Sequence, residues 1–257
     1  RFCYIYPHLE GMWMCWCHRE GPRDLCEIAD MKLLEGDPVL ASTVIDMYAN
    51  CGLFVEAKEL LCDIPAQDAI SWTALIAGYV QQGQCHEALN CFERMKQEGF
   101  PPDEVTFTCI LKACGSIGAI DKGKQIHDEI NSRRLLNKDI MLGTALVDMY
   151  AKCGLLPKAK EVFEKLNVRD VVAWTSLIVG YGEHGYGEEA LMCMEQMELE
   201  NVHPNAATFI CCLKACGSIK DRRKGKELHA EILRKGLLER HTVLNNALLD
   251  MYAKCGL

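Results

Sequence analysis

The sequence has no excess of positive charge. Its 28 Lys and Arg stand against 36 Asp and Glu, giving a formal net charge of −8 and a pI near 5.5. The basic footprint usual for a nucleic-acid-binding domain is therefore missing. Such a function is not excluded, because a local basic stripe can coexist with an acidic outer face. No run of 18 uninterrupted apolar residues exists, so no membrane-spanning helix is expected. No segment of useful length alternates apolar and polar residues as a half-buried strand would. Phosphate-binding and dinucleotide-binding glycine patterns are absent, and no Ser/His/Asp or paired-carboxylate constellation stands out. Although there are 16 Cys, no two lie three positions apart, so the usual Cys-x-x-Cys half of a zinc site is missing.

What is there is ordinary for a folded protein: 49% hydrophobic and 25% charged residues. The length of 257 residues allows one or two globular domains or a single repeat array. Arg1 in place of Met, and Leu257 inside a helix-like pattern, lead us to expect a piece of a longer protein.

Internal repetition decides among these. Asp46-Met47-Tyr48 returns as Asp148-Met149-Tyr150 and as Asp250-Met251-Tyr252, with both steps 102 residues. Trp72-Thr73 returns 102 residues on as Trp174-Thr175, and the run Leu111 to Ile117 returns unchanged as Leu213 to Ile219. Residues 140–155 and 242–257 are identical at 11 of 16 positions. The unit is itself compound. Within 69–103, Trp72, Leu75, Ile76 and Tyr79 fall at helical spacing, and Gly83 then breaks the pattern. Ala88, Leu89, Phe92 and Met95 make a second stripe, stopped by Gly99 and Pro101-Pro102. The same grammar fits 38–68, 104–139, 140–170, 171–205 and 206–241, with a cut copy at 242–257. One short helix pair cannot bury both stripes, but stacked pairs can. The expected fold is all-α, a right-handed α-solenoid of helix-turn-helix repeats. Its ends should fray, leaving protection highest over about residues 69–205, since end repeats lack a neighbour.

Residues 1–37 are expected to be a diverged or damaged partial repeat. Only 25–37 align with 127–139, and residues 1–24 should be clipped first by protease. Cys51, Cys153 and Cys255, like Cys114 and Cys216, each precede a Gly. They read as packed free thiols.

The alternation of 31, 35 and 36 residues resembles the pentatricopeptide repeat family, in its plant subfamily with mixed motif lengths. The segments Ile70 to Ile76 and Val172 to Ile178 look like the opening of its 35-residue motif. Asp148 to Gly154 looks like the first helix of the 31-residue motif. Gly123 to His127 and Gly225 to His229 look like the second helix of the 36-residue motif. The resemblance covers roughly residues 25–257.

The resemblance implies single-stranded RNA binding in a mitochondrion or chloroplast, one nucleotide per repeat, along a concave face lined by first helices. Each base would be chosen by the fifth residue of a motif together with its last residue. The pairs are Ser42 with Asp68, Thr73 with Asp103, Thr108 with Asp139, Thr144 with Asp170, and Thr175 with Asn205. Ile210 with His241 fits no stated preference, and Asn246 lacks its partner. The second residue of each motif would grip the base faces: Val39, Ile70, Val105, Met141, Val172, Ala207 and Val243. Taken singly, each reads equally as core, the default for Val and Ile. Lys152 and Lys254 are weaker candidates for phosphate contact, with Lys112 and Lys214 similar; ordinary solvated lysine is an equal reading for each.

Plant relatives often end in a zinc deaminase, which needs His-x-Glu followed by Cys-x-x-Cys. His127-Asp128-Glu129 and His229-Ala230-Glu231 supply only the first half, at one place in the repeat, and read as repeat structure. Cys15, Cys17, His18 and Cys26 match no common metal spacing. The expectation is a non-catalytic RNA binder without metal, cofactor, membrane or small-molecule substrate. It would be a piece of an RNA processing or editing factor, with other such proteins as further partners. The alternative is a helical scaffold gripping a peptide or protein, which the acidic pI favours.

Overall fold

The structure is a computed structural model that describes residues 38–64, 68–137, 139–238 and 242–256. The questions raised by residues 1–37, including the Cys15, Cys17, His18 and Cys26 group, lie outside them. The described residues form thirteen α-helices and no strand. In chain order these are α1 (Pro38–Asn50), α2 (Phe54–Asp63), α3 (Ala69–Gln81), α4 (Cys85–Gln97), α5 (Glu104–Ile117) and α6 (Ile120–Ser132). A 3-10 turn at Leu135–Asn137 leads to α7 (Ile140–Lys152), α8 (Leu156–Glu164), α9 (Val171–Glu183) and α10 (Gly187–Leu199). The last are α11 (Ala206–Ile219), α12 (Arg222–Arg234) and α13 (Thr242–Lys254). Odd numbers are the first helices of successive pairs and even numbers the second. None of these helices is long and apolar enough to cross a membrane.

Helices of about 9 to 14 residues are marginal alone in water, so their stability comes from stacking. The fold is an all-α repeat solenoid, and its contacts divide into two compact units at Thr106–Phe107, within α5. In the first unit, α1 packs on α2 and α3, and α3 packs on α4. Trp72, Leu75, Ile76 and Tyr79 of α3 are all buried, as their spacing predicts. The Phe54 ring stacks on Tyr79 at 4.0 Å, and the Arg94 guanidinium lies over Trp72 at 5.4 Å. In the second unit, α7 packs on α8 and α9, α9 on α10 and α11, and α11 on α12 and α13.

Inside most pairs a residue with positive φ closes the first helix in the left-handed region, which favours Gly. Gly83 and Gly185 are examples, at φ 74° and 84°. At one equivalent pair of positions, Gly118 at φ 68° is replaced by Lys220 at φ 58°.

Two recurring motifs prove to be one interlock. Gly123 of α6 faces Met149 of α7, where an added Cβ would stand 2.6 Å from the Met Sδ. One turn on, His127 Nδ1 meets the Tyr150 hydroxyl at 2.9 Å. The next copy repeats both contacts through Gly225 with Met251 and His229 with Tyr252, the latter at 2.8 Å. Burial pushes the Tyr150 phenol up to about 12 and lowers the His127 pKa. The two His of the His-x-Glu segments are thus bonded to tyrosines. No metal-holding group of His, Cys, Asp or Glu occurs among the described residues.

The thiols of Cys153 and Cys255 face the carbonyls of Cys114 and Cys216 at 3.9 and 3.8 Å. Cys51 is exposed, where the pattern predicts packing. The residues that the 102-residue period would place opposite it fall outside the described ones.

Candidate nucleic-acid interface

The last residue of a motif is positioned by helix capping. Asp68 accepts from the Ser71 N–H at 2.7 Å, Asp103 from Thr106 at 2.7 Å, and Asp170 from Ala173 at 2.8 Å. Asn205 accepts from the Thr208 N–H at 2.9 Å, and Asp139 from Met141 at 2.8 Å. Each bond satisfies an orphan N–H of the next first helix and holds the side chain at the motif junction. His241 lies outside the described residues.

The second residue of every motif is exposed. Val39, Ile70, Val105, Met141, Val172 and Val243 are 45 to 62% accessible, and Ala207 is exposed too. Core residues of the same types in these helices, such as Leu75 and Ile76, are fully buried. The core reading of these seven positions is therefore excluded. They form a set of single apolar side chains, each one helical turn from the fifth residue of its motif.

The fifth residues, Asn246 apart, are sunk below that surface. Ser42, Thr73 and Thr144 are buried, Thr108, Thr175 and Ile210 half-buried, and Asn246 exposed. Ser42 Oγ donates to the Val39 carbonyl at 3.0 Å. Thr73 Oγ1 lies 2.8 Å from the Ala69 carbonyl and Thr175 Oγ1 2.6 Å from that of Val171.

Sequence reasoning missed two residues that tie these groups together. The Thr106 hydroxyl is 2.7 Å from that of Thr73 and donates to Asp103 Oδ1 at 2.6 Å. The Thr208 hydroxyl is 2.9 Å from that of Thr175 and donates to Asn205 Oδ1 at 3.0 Å. Both Thr are fully buried. The signal was present as Asp103-x-x-Thr106 and Asn205-x-x-Thr208, polar caps followed three residues later by a hydroxyl. Where Ala173 takes that place, the Thr144 hydroxyl is buried with no hydrogen-bond partner.

Lys152 and Lys254 are exposed and pair with Asp148 and Asp250 at 2.7 Å. Their stems cross Gly115 and Gly217, whose added Cβ would stand 3.4 and 3.2 Å from the lysine Cδ. Exposed pairs of this kind are weak, so either ammonium can exchange its carboxylate for another anion. Lys112 and Lys214 are exposed on first helices.

A family model described as the PPR repeat family matches residues 67–116 and 169–218, and one described as a PPR repeat matches 39–66, 105–135 and 144–171. Together they span more than half of the chain. Among curated relatives from Arabidopsis thaliana, a putative mitochondrial pentatricopeptide repeat-containing protein is 37% identical over 84% of this chain and 34% of its own length. A chloroplastic one is 32% identical over 91% of this chain and 38% of its own. The chain thus spans about a third of the length of the curated relatives it matches. Among solved structures, the pentatricopeptide repeat protein PPR10 from maize has a TM-score of 0.63 at 21% identity, covering 83% of this chain and 31% of that one. PPR10 in complex with an 18-nt psaJ RNA element has a TM-score of 0.58 at 18% identity, covering 96% and 40%. At these identities the likeness is one of fold.

Proposed function

The chain belongs to the pentatricopeptide repeat family, and from that premise we propose that it binds single-stranded RNA and selects its bases. The carrying observation is the triplet repeated along the chain: an exposed apolar second residue, a sunken polar fifth residue, and a capping Asp or Asn at the junction. It is the arrangement that gripping and reading one unstacked base requires. The fold neighbour PPR10, crystallised with an RNA element, supports the reading. So do relatives named mitochondrial and chloroplastic, which favour an organelle. We place the chain in the plant subfamily with 31-, 35- and 36-residue motifs, as the non-catalytic part of an RNA processing or editing factor.

The family resemblance implies guanine for Thr with Asp and adenine for Thr with Asn, and hydrogen-bond polarity agrees with it at the two Thr pairs. Two hydroxyl protons serve each Thr pair. Thr106 commits one to Asp103 Oδ1, and Thr73 directs the other to Ala69 or Thr106. Thr73 therefore offers lone pairs, and Asp103 Oδ2 offers more. Two acceptors suit the N1–H and N2–H of guanine. At the other site Asn205 Oδ1 takes the Thr208 N–H and hydroxyl, so the amide NH₂ is the group left to donate. A donor beside the Thr175 lone pairs suits adenine N1 and N6–H. In the orientation the resemblance implies, N-terminus toward the RNA 5′ end, the read stretch is purine-rich. It is G-like for 38–68, G for 69–103, open for 104–139, G for 140–170 and A for 171–205. The second residues hold the base faces, and Lys152 and Lys254 meet phosphates.

The test is a filter-binding titration against single-stranded RNAs that differ only at the nucleotide read by 171–205. The parent should prefer A, and binding should weaken with salt as counterions are released. Asn205→Asp replaces the donor by an acceptor and should move that preference toward G. One base contact is worth about 1–3 kcal/mol, so the ratio should move about tenfold or more. An unchanged ratio in Asn205→Asp, with selectivity also intact after a change at Thr73, would defeat this reading and favour the peptide scaffold.

A further inference from the structure

We propose that Thr106 and Thr208, the third residues of the two 36-residue motifs, are positioning residues that decide which atom the preceding motif shows to its base. The inference rests on the proposed RNA-binding function. Neither residue can touch RNA, since both are completely buried. What each does is join, from the following motif, the fifth and last side chains of the motif before it. Thr208 gives Asn205 Oδ1 both its N–H, at 2.9 Å, and its hydroxyl, at 3.0 Å. A carbonyl oxygen can accept two donors, whereas an amide NH₂ in the same place would meet them head-on. The Thr208 hydroxyl therefore helps fix the amide flip, with Oδ1 inward. The Thr208 hydroxyl oxygen also lies 2.9 Å from Thr175 Oγ1, and this holds the two base-facing groups in one register. Asn205 N–H completes the box by approaching Thr208 Oγ1 at 3.4 Å.

Thr106 repeats the arrangement on Asp103 and Thr73, at 2.6 and 2.7 Å. The motif 140–170 is the natural contrast. Ala173 stands in the third place after Asp170, the Asp170 cap on the backbone N–H survives at 2.8 Å, and Thr144 has no hydroxyl to join. Among the described residues the link is an addition to the cap, made where the 36-residue motif supplies Thr.

The experiment compares Thr208→Val, Thr208→Ser and Asn205→Asp with the parent. The readout is the ratio of affinities for RNAs carrying A or G at the nucleotide read by 171–205. The same ratio is taken at the nucleotide read by 140–170. Val keeps the shape and the N–H but removes the hydroxyl, so the ratio at the first nucleotide should fall about threefold to tenfold, one hydrogen bond's worth. Ser should keep it, and the ratio at the second nucleotide should not move in either variant. Several outcomes would overturn the inference: Thr208→Val retaining the parental ratio while Asn205→Asp shifts it, Ser behaving like Val, or both nucleotides losing selectivity together. If Asn205→Asp also leaves the ratio unchanged, the RNA reading itself fails and the inference falls with it.

Discussion

Asp46, Asp148 and Asp250 occupy one place in three copies of the 102-residue unit, but their neighbours differ. Asp148 and Asp250 pair with Lys152 and Lys254 four residues on, whereas Asp46 meets Asn50. Burial raises the Asp46 pKa above the usual carboxylate range, and the hydrogen bond from Asn50 only partly offsets this. A carboxyl with a raised folded-state pKa binds its proton more tightly in the folded chain. It therefore lowers stability as pH climbs from the unfolded-state value through the folded one, and the penalty is complete above that window. Asn50→Lys restores the pairing seen in the later copies. It should stabilise the protein by about 0.3–0.5 kcal/mol at neutral pH. That gain should disappear as Asp46 is protonated in acid. Urea denaturation of parent and variant across the acid range measures it; a gain equal at every pH would trace the effect to helix propensity and not to the pair.

Between elements, the helix contacts depend on glycines of two kinds. An added Cβ on Gly180 of α9 would stand 2.6 Å from the Ala151 Cβ and 3.2 Å from its Cα, on the neighbouring α7. Neither atom can rotate away. On Gly123 of α6 the atoms met are Sδ and Cε of Met149, at 2.6 and 2.8 Å, the far end of a flexible side chain. Replacing Gly by Ala inside a helix gains about 1 kcal/mol in propensity. Gly123→Ala should therefore stay within about 1 kcal/mol of the parent. Gly180→Ala should lose about 1–3 kcal/mol to overpacking, beyond what propensity returns. Equal stabilities by equilibrium unfolding would show that α7 and α9 can slide apart freely. This distinction was not legible in the sequence, where Gly180 carries the same letter as turn-forming Gly83 and Gly185. The helix pairs were legible, because Gly breaks and apolar stripes are local signals. The exposure of the second residues was not legible, since Val and Ile serve both core and surface. Thr106 and Thr208 were passed over because a buried Thr shows its partner only once a neighbouring motif is stacked beside it.

At the scale of the molecule, the chain holds its own control for how much stability stacking supplies. Residues 140–155 and 242–257 share 11 of 16 residues, so α7 and α13 have nearly the same intrinsic helix propensity. Their surroundings differ. Among the described residues α7 has α5, α6, α8 and α9 against it, while α13 has α11 and α12. Val147 on α7 is completely buried, and Leu249, its counterpart on α13, is 68% exposed. Tyr150 is buried and Tyr252 only half-buried. Burying one aliphatic side chain is worth about 1.5–3 kcal/mol. In a repeat array that energy enters through nearest-neighbour contacts, so in a protein cut at Leu257 α13 should open without taking α7 with it. Amide hydrogen exchange should then run about ten- to a hundredfold faster in α13 than in α7 at matched positions such as Met251 and Met149. Matching residue to residue removes most of the difference in intrinsic exchange rate, leaving the neighbours as the variable. Equal protection of the two helices would mean that the array unfolds as one cooperative body, and the nearest-neighbour account of its stability would be wrong.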